Sequence, residues 1–427
     1  MVFALSATAF AQNVGGTQAE SGKGQIIINN AAKGEKYKVV KLFDASVTGT
    51  ADGSIAYTGN IPEALSAYFE KDSAGNISAT AAAKSGDEMS EGLKSALKTW
   101  AGSADDGTES DGSVLYFNNL DYGYYVVLTT QGTTNITVTS TNPTASIYDK
   151  NSTTPVIDET NGKTVNDAQV AIGDTVTYPV TFTTSNYAGS GSTAKQITKY
   201  TIEDTLPGFL DDVTITSLTI GVTEKVYSAA ELTAATTAFN TNKKIEIDWV
   251  NGTTSLYSNG AQVVITYTAT VTNQVAVAGE AAASKNEVTL KYTTSDGDTT
   301  VGTSSSEIST YAAQINKVDA SGTALPGATF SIAGLQLTGS AGSYTVTGAT
   351  ATGGTDTVMD CDASGKLVIR GLDNIDYTVT EEAAPSGYNK LTSTFTLNPV
   401  VESTTVTDGG ADEESEDSLR ERIRLAP

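Results

Sequence analysis

The chain has 427 residues, and at roughly 100–200 residues per domain that length suits about three domains. Acidic residues number 49 against 25 basic ones, and the resulting net charge of −24 repels phosphate backbones and excludes nucleic acid as a natural partner. With no histidine there is no Ser-His-Asp or Cys-His catalysis and no histidine-containing zinc site, and a single cysteine, Cys361, makes no internal disulfide.

Residues 2–11 are apolar and close on Ala9-Phe10-Ala11, a cleavage-site pattern. They read as the remnant of a secretory signal without its basic start, or as an ordinary apolar N-terminus. Gln25–Asn29 and Tyr37–Phe43 read as strands. Met89, Leu93, Leu97 and Trp100 fall on one helical stripe, predicting a helix over Asp87–Gly102 with Asp87 as N-cap and Gly102 as stop. The acidic stretch Asp105–Gly112 matches no EF-hand spacing and reads as a solvated loop. Val114–Phe117 and Tyr122–Leu128 follow as strands around a turn at Asn118-Asn119, and a linker covers Asn151–Pro155.

From Val156 to Thr310 the pattern is nearly all β, with Val176, Tyr178, Val180 and Phe182 alternating, and only Ala229–Phe239 reads as helical. Pro179 within that alternation implies an edge strand. Tyr311–Thr407 shows short strands between Gly, Ser and Asp turns, and Asp408–Pro427 is an acidic run followed by a basic one, a solvated tail. The expected fold is all-β: tandem Ig-like β-sandwiches, the first with added helices. The expected segments are a signal remnant (1–11), an N-terminal domain (20–151), a middle sandwich (156–310), a third domain (311–407) and a tail (408–427). No apolar run is long enough to span a membrane, and neither a cofactor nor a metal site is expected.

Phase along the strands picks out the chemistry, because residues two apart on a strand share a face. Lys317 shares the face of Ile315, and Glu381 that of Tyr377 and Val379. In the middle block Lys163 is in phase with Val165, Asp204 with Ile202 and Leu206, and Asn286 with Val288, Leu290 and Tyr292. Polar groups aimed at a core are costly unless paired, and a lone strand lysine ordinarily reaches solvent. The alternative resolution is covalent. A buried lysine loses its proton and becomes a nucleophile, a buried carboxyl keeps its proton and polarises an amide, and attack on asparagine releases ammonia to leave an isopeptide bond.

These residues carry a family resemblance. Ile315-Asn-Lys317-Val-Asp319 with Leu325-Pro-Gly-Ala-Thr-Phe330 resembles the start of a collagen-adhesin B-type domain, and Tyr377-Thr-Val-Thr-Glu381 resembles the E-box of Gram-positive pilins. Ile172–Tyr178 and Tyr200–Pro207 resemble the A-type domain, and Ser146-Ile-Tyr-Asp-Lys150-Asn151 is similar to the pilin motif, whose lysine a sortase joins to the next subunit. The resemblance, over about residues 20–400, is to sortase-assembled backbone pilins. It implies a Lys163–Asn286 bond with Asp204 as acid, and Lys317 as amine with Glu381 as acid in the third domain. In the first domain it implies Lys41, in phase with Val39 and Phe43, and Asn151, with Lys150 on the opposite face serving the polymer.

Four departures accompany it. No Glu or Asp occupies Tyr124–Thr130, so the first-domain bond lacks its acid; Asp149 stands where the family usually has proline. No LPxTG-like signal closes the sequence. The third domain's late asparagine is replaced by Asp408–Asp417, leaving Asn398 as the remaining one; truncation or a frame change near Thr407 would account for both. The implied function is a secreted, cell-wall-associated pilus shaft subunit. Its partners are copies of itself, a pilin sortase, minor pilins and host surface ligands. Two rivals stand beside it: a wall-anchored adhesin or minor pilin, and a secreted carbohydrate-active enzyme using paired carboxylates.

Overall fold

The computed structural model describes residues 19–48, 54–86, 88–112, 114–129, 133–149, 154–189, 193–399 and 404–408. The N-terminal signal pattern and residues 409–427 of the tail lie outside them.

In the first block a three-stranded sheet, ordered Thr144–Tyr148, Gly24–Asn29, Leu115–Leu120, faces a larger one. The larger sheet runs Thr133–Val138, Gly123–Thr129, Lys36–Thr48, Ser54–Thr58. Ile26, Ile28, Tyr37, Val39, Phe117, Tyr125 and Val127 fill the space between the sheets. The outer face of the larger sheet is also covered: Val40, Leu42, Phe43, Val126 and Leu128 pack on Leu93, Leu97 and Ala101 of the helix Glu91–Ala101. Burial on both faces is why Val39–Phe43 reads as an apolar run rather than an alternation.

Three sequence expectations change here. Asp87 lies outside the described residues, and the N-cap is Ser90, whose hydroxyl accepts from Leu93 N at 3.2 Å; Gly102, at φ 83°, ends the helix. The strand expected to stop at Phe117 continues to Leu120, moving the turn to Asp121-Tyr122. A bulge beside Leu42 takes Phe43 out of phase with Lys41: Tyr125 pairs with Lys41 and Tyr124 with Phe43.

The middle block is a sandwich of two sheets. One runs Val156–Ile157, Thr175–Thr183, Gln262–Val271, Leu210–Ile220, Lys225–Val226; the other runs Lys244–Asp248, Lys199–Asp204, Ser284–Thr294, Gly297–Ile308. Alternate residues Val176, Tyr178, Val180 and Phe182 are buried, as the period-2 pattern requires. Pro179 is not on a bare edge. Its strand has the short Val156–Ile157 beyond it, and the Pro179 carbonyl accepts from Thr164 N at 3.2 Å, a contact that needs no proline N–H. The helix Ala229–Asn242 begins in a capping box between Ser228 and Glu231.

The third block pairs a five-stranded sheet with a four-stranded one. The first is ordered Leu335–Ser340, Ser343–Ala349, Lys366–Leu372, Tyr311–Asp319, Thr404–Asp408; the second Met359–Asp360, Thr329–Ile332, Tyr377–Ala383, Phe395–Leu397. One continuous core runs through the middle and third blocks, from Ile157 to Leu397. At their junction Ile172 N donates to Gly371 O at 3.0 Å, and a Cβ on Gly371 (φ 81°) would stand 2.4 Å from Ile172 Cδ1.

Candidate functional site

Lys163 follows a turn closed by Asp158, whose carboxylate accepts from the Thr160 and Asn161 amides at 2.9 and 2.6 Å. The turn sets Lys163 antiparallel to Val180, and Lys163 N donates to Ser304 Oγ at 2.9 Å, so the side chain enters the sandwich from the first sheet. Asp204 and Asn286 come from adjacent strands of the second sheet, where Asp204 pairs with Val288, two residues from Asn286. Lys163 and Asn286 are 0% exposed and Asp204 is 4% exposed.

The three side chains meet through a fourth. Lys163 Nζ is 2.7 Å from Asp204 Oδ2. Tyr267 Oη donates to that same oxygen at 2.9 Å and accepts from Asn286 Nδ2 at 2.7 Å. Leu206 N donates to Asp204 Oδ1 at 3.1 Å, and Thr205 Oγ1 donates to Asn286 Oδ1 at 3.3 Å. The Lys163 ammonium also lies over the Tyr178 and Tyr267 rings, 5.3 and 5.6 Å from their centroids. Burial lowers the Lys163 pKa to about 8 against the opposing pull of Asp204. Burial, reinforced by the Asp204 charge, raises that of Tyr267 well above the usual phenol range. A nucleophilic amine, a carboxyl and a primary amide, closed off from water, form a centre equipped for transamidation.

In the third block Lys317 Nζ stands 2.9 Å from Glu381 Oε1, both side chains 0% exposed, and Leu391 N donates to Glu381 Oε2 at 2.8 Å. The strand beside Lys317 is Thr404–Asp408, with Val406 opposite Lys317 in parallel register. Pairing runs to Asp408, and the rest of the acidic run, 409–417, lies outside the described residues. Asn398 follows Phe395–Leu397, which pairs with Tyr377–Val379 in the other sheet, and Asn398 Nδ2 donates to Asp376 at 2.8 Å. Cys361 is buried, and burial pushes its thiol up to about 11.

In the first block Lys41 is half-buried and pairs with Asp44 at 2.6 Å, so its ammonium is directed to an exposed carboxylate rather than to a core. The buried lysine there is Lys38, which donates to both Asp106 oxygens at 2.9 Å and brings the 105–112 loop onto the sheet. Lys150 and Asn151 lie outside the described residues. Asp149, just before them, is buried: Tyr37 Oη donates to its Oδ2 at 2.5 Å, and its backbone N donates to Asn30 Oδ1 at 2.8 Å.

Sequence reasoning did not single out Tyr267 or Thr205, and it marked Asp149 only as a departure from the pilin motif. Tyr267 lies at a buried position of the strand Gln262–Val271, and nothing in the sequence indicates where its hydroxyl reaches.

Residues 312–409 match the SpaA prealbumin-like fold domain. No curated protein matches the chain. Among solved structures it is similar to the group B streptococcus pilus 2b backbone protein, with 21% identity over 58% of this chain and 98% of that one, at a TM-score of 0.44. It is also similar to the major pilin SpaD of Corynebacterium diphtheriae, with 16% identity over 91% and 98% and a TM-score of 0.41. The major pilin BcpA of Bacillus cereus gives 12% over 91% and 98%, at 0.40.

Proposed function

We propose that the chain is the shaft subunit of a sortase-assembled pilus at a Gram-positive cell surface, strengthened by a self-formed isopeptide bond between Lys163 and Asn286. The observation that carries this reading is the buried Lys163–Asp204–Asn286 centre, where amine and amide come from opposite sheets of one sandwich. A bond at that position ties the two sheets together, so a pull on the chain must break a covalent bond before the sandwich opens. The SpaA-type domain at 312–409 and the pilin-like Lys150 segment support the same reading.

The resemblance implies Asp204 as the acid on the amide, but its Oδ2 faces Lys163 Nζ and Thr205 faces Asn286 Oδ1, so in this reading Asp204 instead takes a proton from the attacking nitrogen as Lys163 Nζ attacks Asn286 Cγ. The hydroxyl of Thr205, on Asn286 Oδ1, supports the oxygen as negative charge develops on it. Lys317 and Glu381 form the corresponding amine and carboxyl of the third domain. The partners are further copies of this chain joined at Lys150 by a pilin sortase, with minor pilins and host surface ligands at the fibre. The adhesin reading shares these domains and differs at Lys150, which a shaft requires and an adhesin does not.

The test incubates the purified chain with a pilin-class sortase and an LPxTG peptide, then maps the adduct. The reading expects the peptide on Lys150 and its loss in Lys150→Ala. Modification of other lysines to the same extent in that variant contradicts it.

A further inference from the structure

The attacking and departing nitrogens of the middle-domain centre are joined by an unbroken line of polar atoms. Lys163 Nζ lies 2.7 Å from Asp204 Oδ2, that oxygen 2.9 Å from Tyr267 Oη, and that hydroxyl 2.7 Å from Asn286 Nδ2. Transamidation moves one proton between these two ends. The attacking amine acquires positive charge and must lose a proton, while an amide nitrogen leaves as ammonia only after gaining one. Asp204 contacts the first nitrogen but not the second, which donates to Tyr267 Oη, the hydroxyl that in turn donates to Asp204.

We propose that Tyr267 is a catalytic residue of isopeptide formation, its hydroxyl relaying the proton from Asp204 to the departing nitrogen of Asn286. The proposal rests on the Lys163–Asn286 reading above. The neutral amine attacks Asn286 Cγ, and the Nζ–Cγ bond forms as the carbonyl π pair moves onto Oδ1. The attacking nitrogen, now positive, gives one proton to Asp204 Oδ2. Asp204 then passes a proton to Tyr267 Oη as Tyr267 gives its own to Nδ2, which has a free lone pair once it is no longer conjugated. The Oδ1 pair re-forms the carbonyl, the Cγ–Nδ2 bond breaks with its electrons on nitrogen, and ammonia departs. Asp204 and Tyr267 finish in their starting states, so no other reactant is consumed.

The surroundings suit that role. The Tyr267 ring is stacked on Tyr178 with centroids 5.2 Å apart and packs on Phe239 at 5.5 Å, which fixes the hydroxyl between its two partners. Tyr267 is 1% exposed, so bulk water is kept from the line. The same burial keeps the phenol protonated, so it gives a proton only as it receives one.

The experiment follows loss of ammonia by intact mass spectrometry in freshly synthesised full-length chain. Tyr267→Phe keeps the ring between Tyr178 and Phe239 and removes the relay; ammonia loss is expected to slow by roughly a hundredfold or more. A second protein carries difluorotyrosine at 267, which keeps ring and hydroxyl but changes acidity. Its rate is expected to differ from wild type, a change that a packing role does not produce. Wild-type speed in a folded Tyr267→Phe chain overturns the proposal and leaves the Lys163–Asn286 bond standing. If the Phe variant does not fold, an unchanged rate in the difluorotyrosine protein overturns the proposal. A wild-type chain that never loses ammonia overturns the parent reading itself.

Discussion

Lys163 sits where its charge is poorly solvated, and its lowered pKa puts the free amine within reach near neutral pH. Because only the free amine attacks, bond formation is expected to accelerate as pH rises toward about 8 and then to level off. Timed mass measurements across pH check this; a rate falling between pH 6 and 8 contradicts it. The linkage sign for the unbonded state follows from the same shift. Between the folded value of about 8 and the unfolded 10.5 the unfolded chain binds more protons, so stability grows with pH across that window. Asn286→Ala, which retains Lys163 and Asp204 but cannot bond, is expected to unfold at higher denaturant as pH rises through it. Constant or falling stability there contradicts the burial argument. The inward phase of Lys163, Asp204 and Asn286 was legible in the sequence because each is two residues from an apolar residue on the same strand face. The hydroxyl of Tyr267 was not, because phase gives the face of a side chain and not the partner at its tip.

At the scale of strands, register decides what a buried lysine can reach. Lys317 has Val406 opposite it on the neighbouring strand, while Asn398 directly follows a strand paired with Tyr377–Val379 in the other sheet. The third domain is therefore expected to hold an ion pair and no cross-link, and peptide mapping that finds Lys317 bonded to Asn398 refutes this. A buried pair of this kind gains little net stability, but removing one partner strands the other. Lys317→Ala, which leaves the buried Glu381 carboxylate without its cation, is expected to destabilise the domain by about 3–5 kcal/mol, whereas replacing both residues by apolar ones is expected to be near neutral. Denaturant unfolding of the two variants checks the contrast; equal losses contradict it. Alternation was readable where strands are regular, as in Thr175–Thr183 and Gln262–Val271. It failed at Leu42, where a bulge separates the phases of Lys41 and Phe43, because a one-residue insertion leaves no mark in an apolar run. The helix boundary was misplaced for a related reason: Asp87 and Ser90 are both good caps, and only the fold selects Ser90.

Across the whole molecule, an acidic chain without internal disulfides is built from successive sandwiches, with a core continuous from Ile157 to Leu397. That all-β organisation was legible from the spacing of strands and turns. The fusion of the middle and third cores was not, since it depends on Ile172 reaching Gly371 across almost two hundred residues of sequence. A Lys163–Asn286 bond would close a loop of about 120 residues, and cross-linking a loop of that length stabilises by about 4–5 kcal/mol through the unfolded chain alone.

The most direct measurement is the intact mass of the full-length chain under denaturing conditions, wild type beside Asp204→Ala. The account predicts a wild-type mass lower by one ammonia than its own sequence requires, and an Asp204→Ala chain at its full sequence mass. A wild-type chain at full mass, or an Asp204→Ala chain with the same deficit, contradicts it.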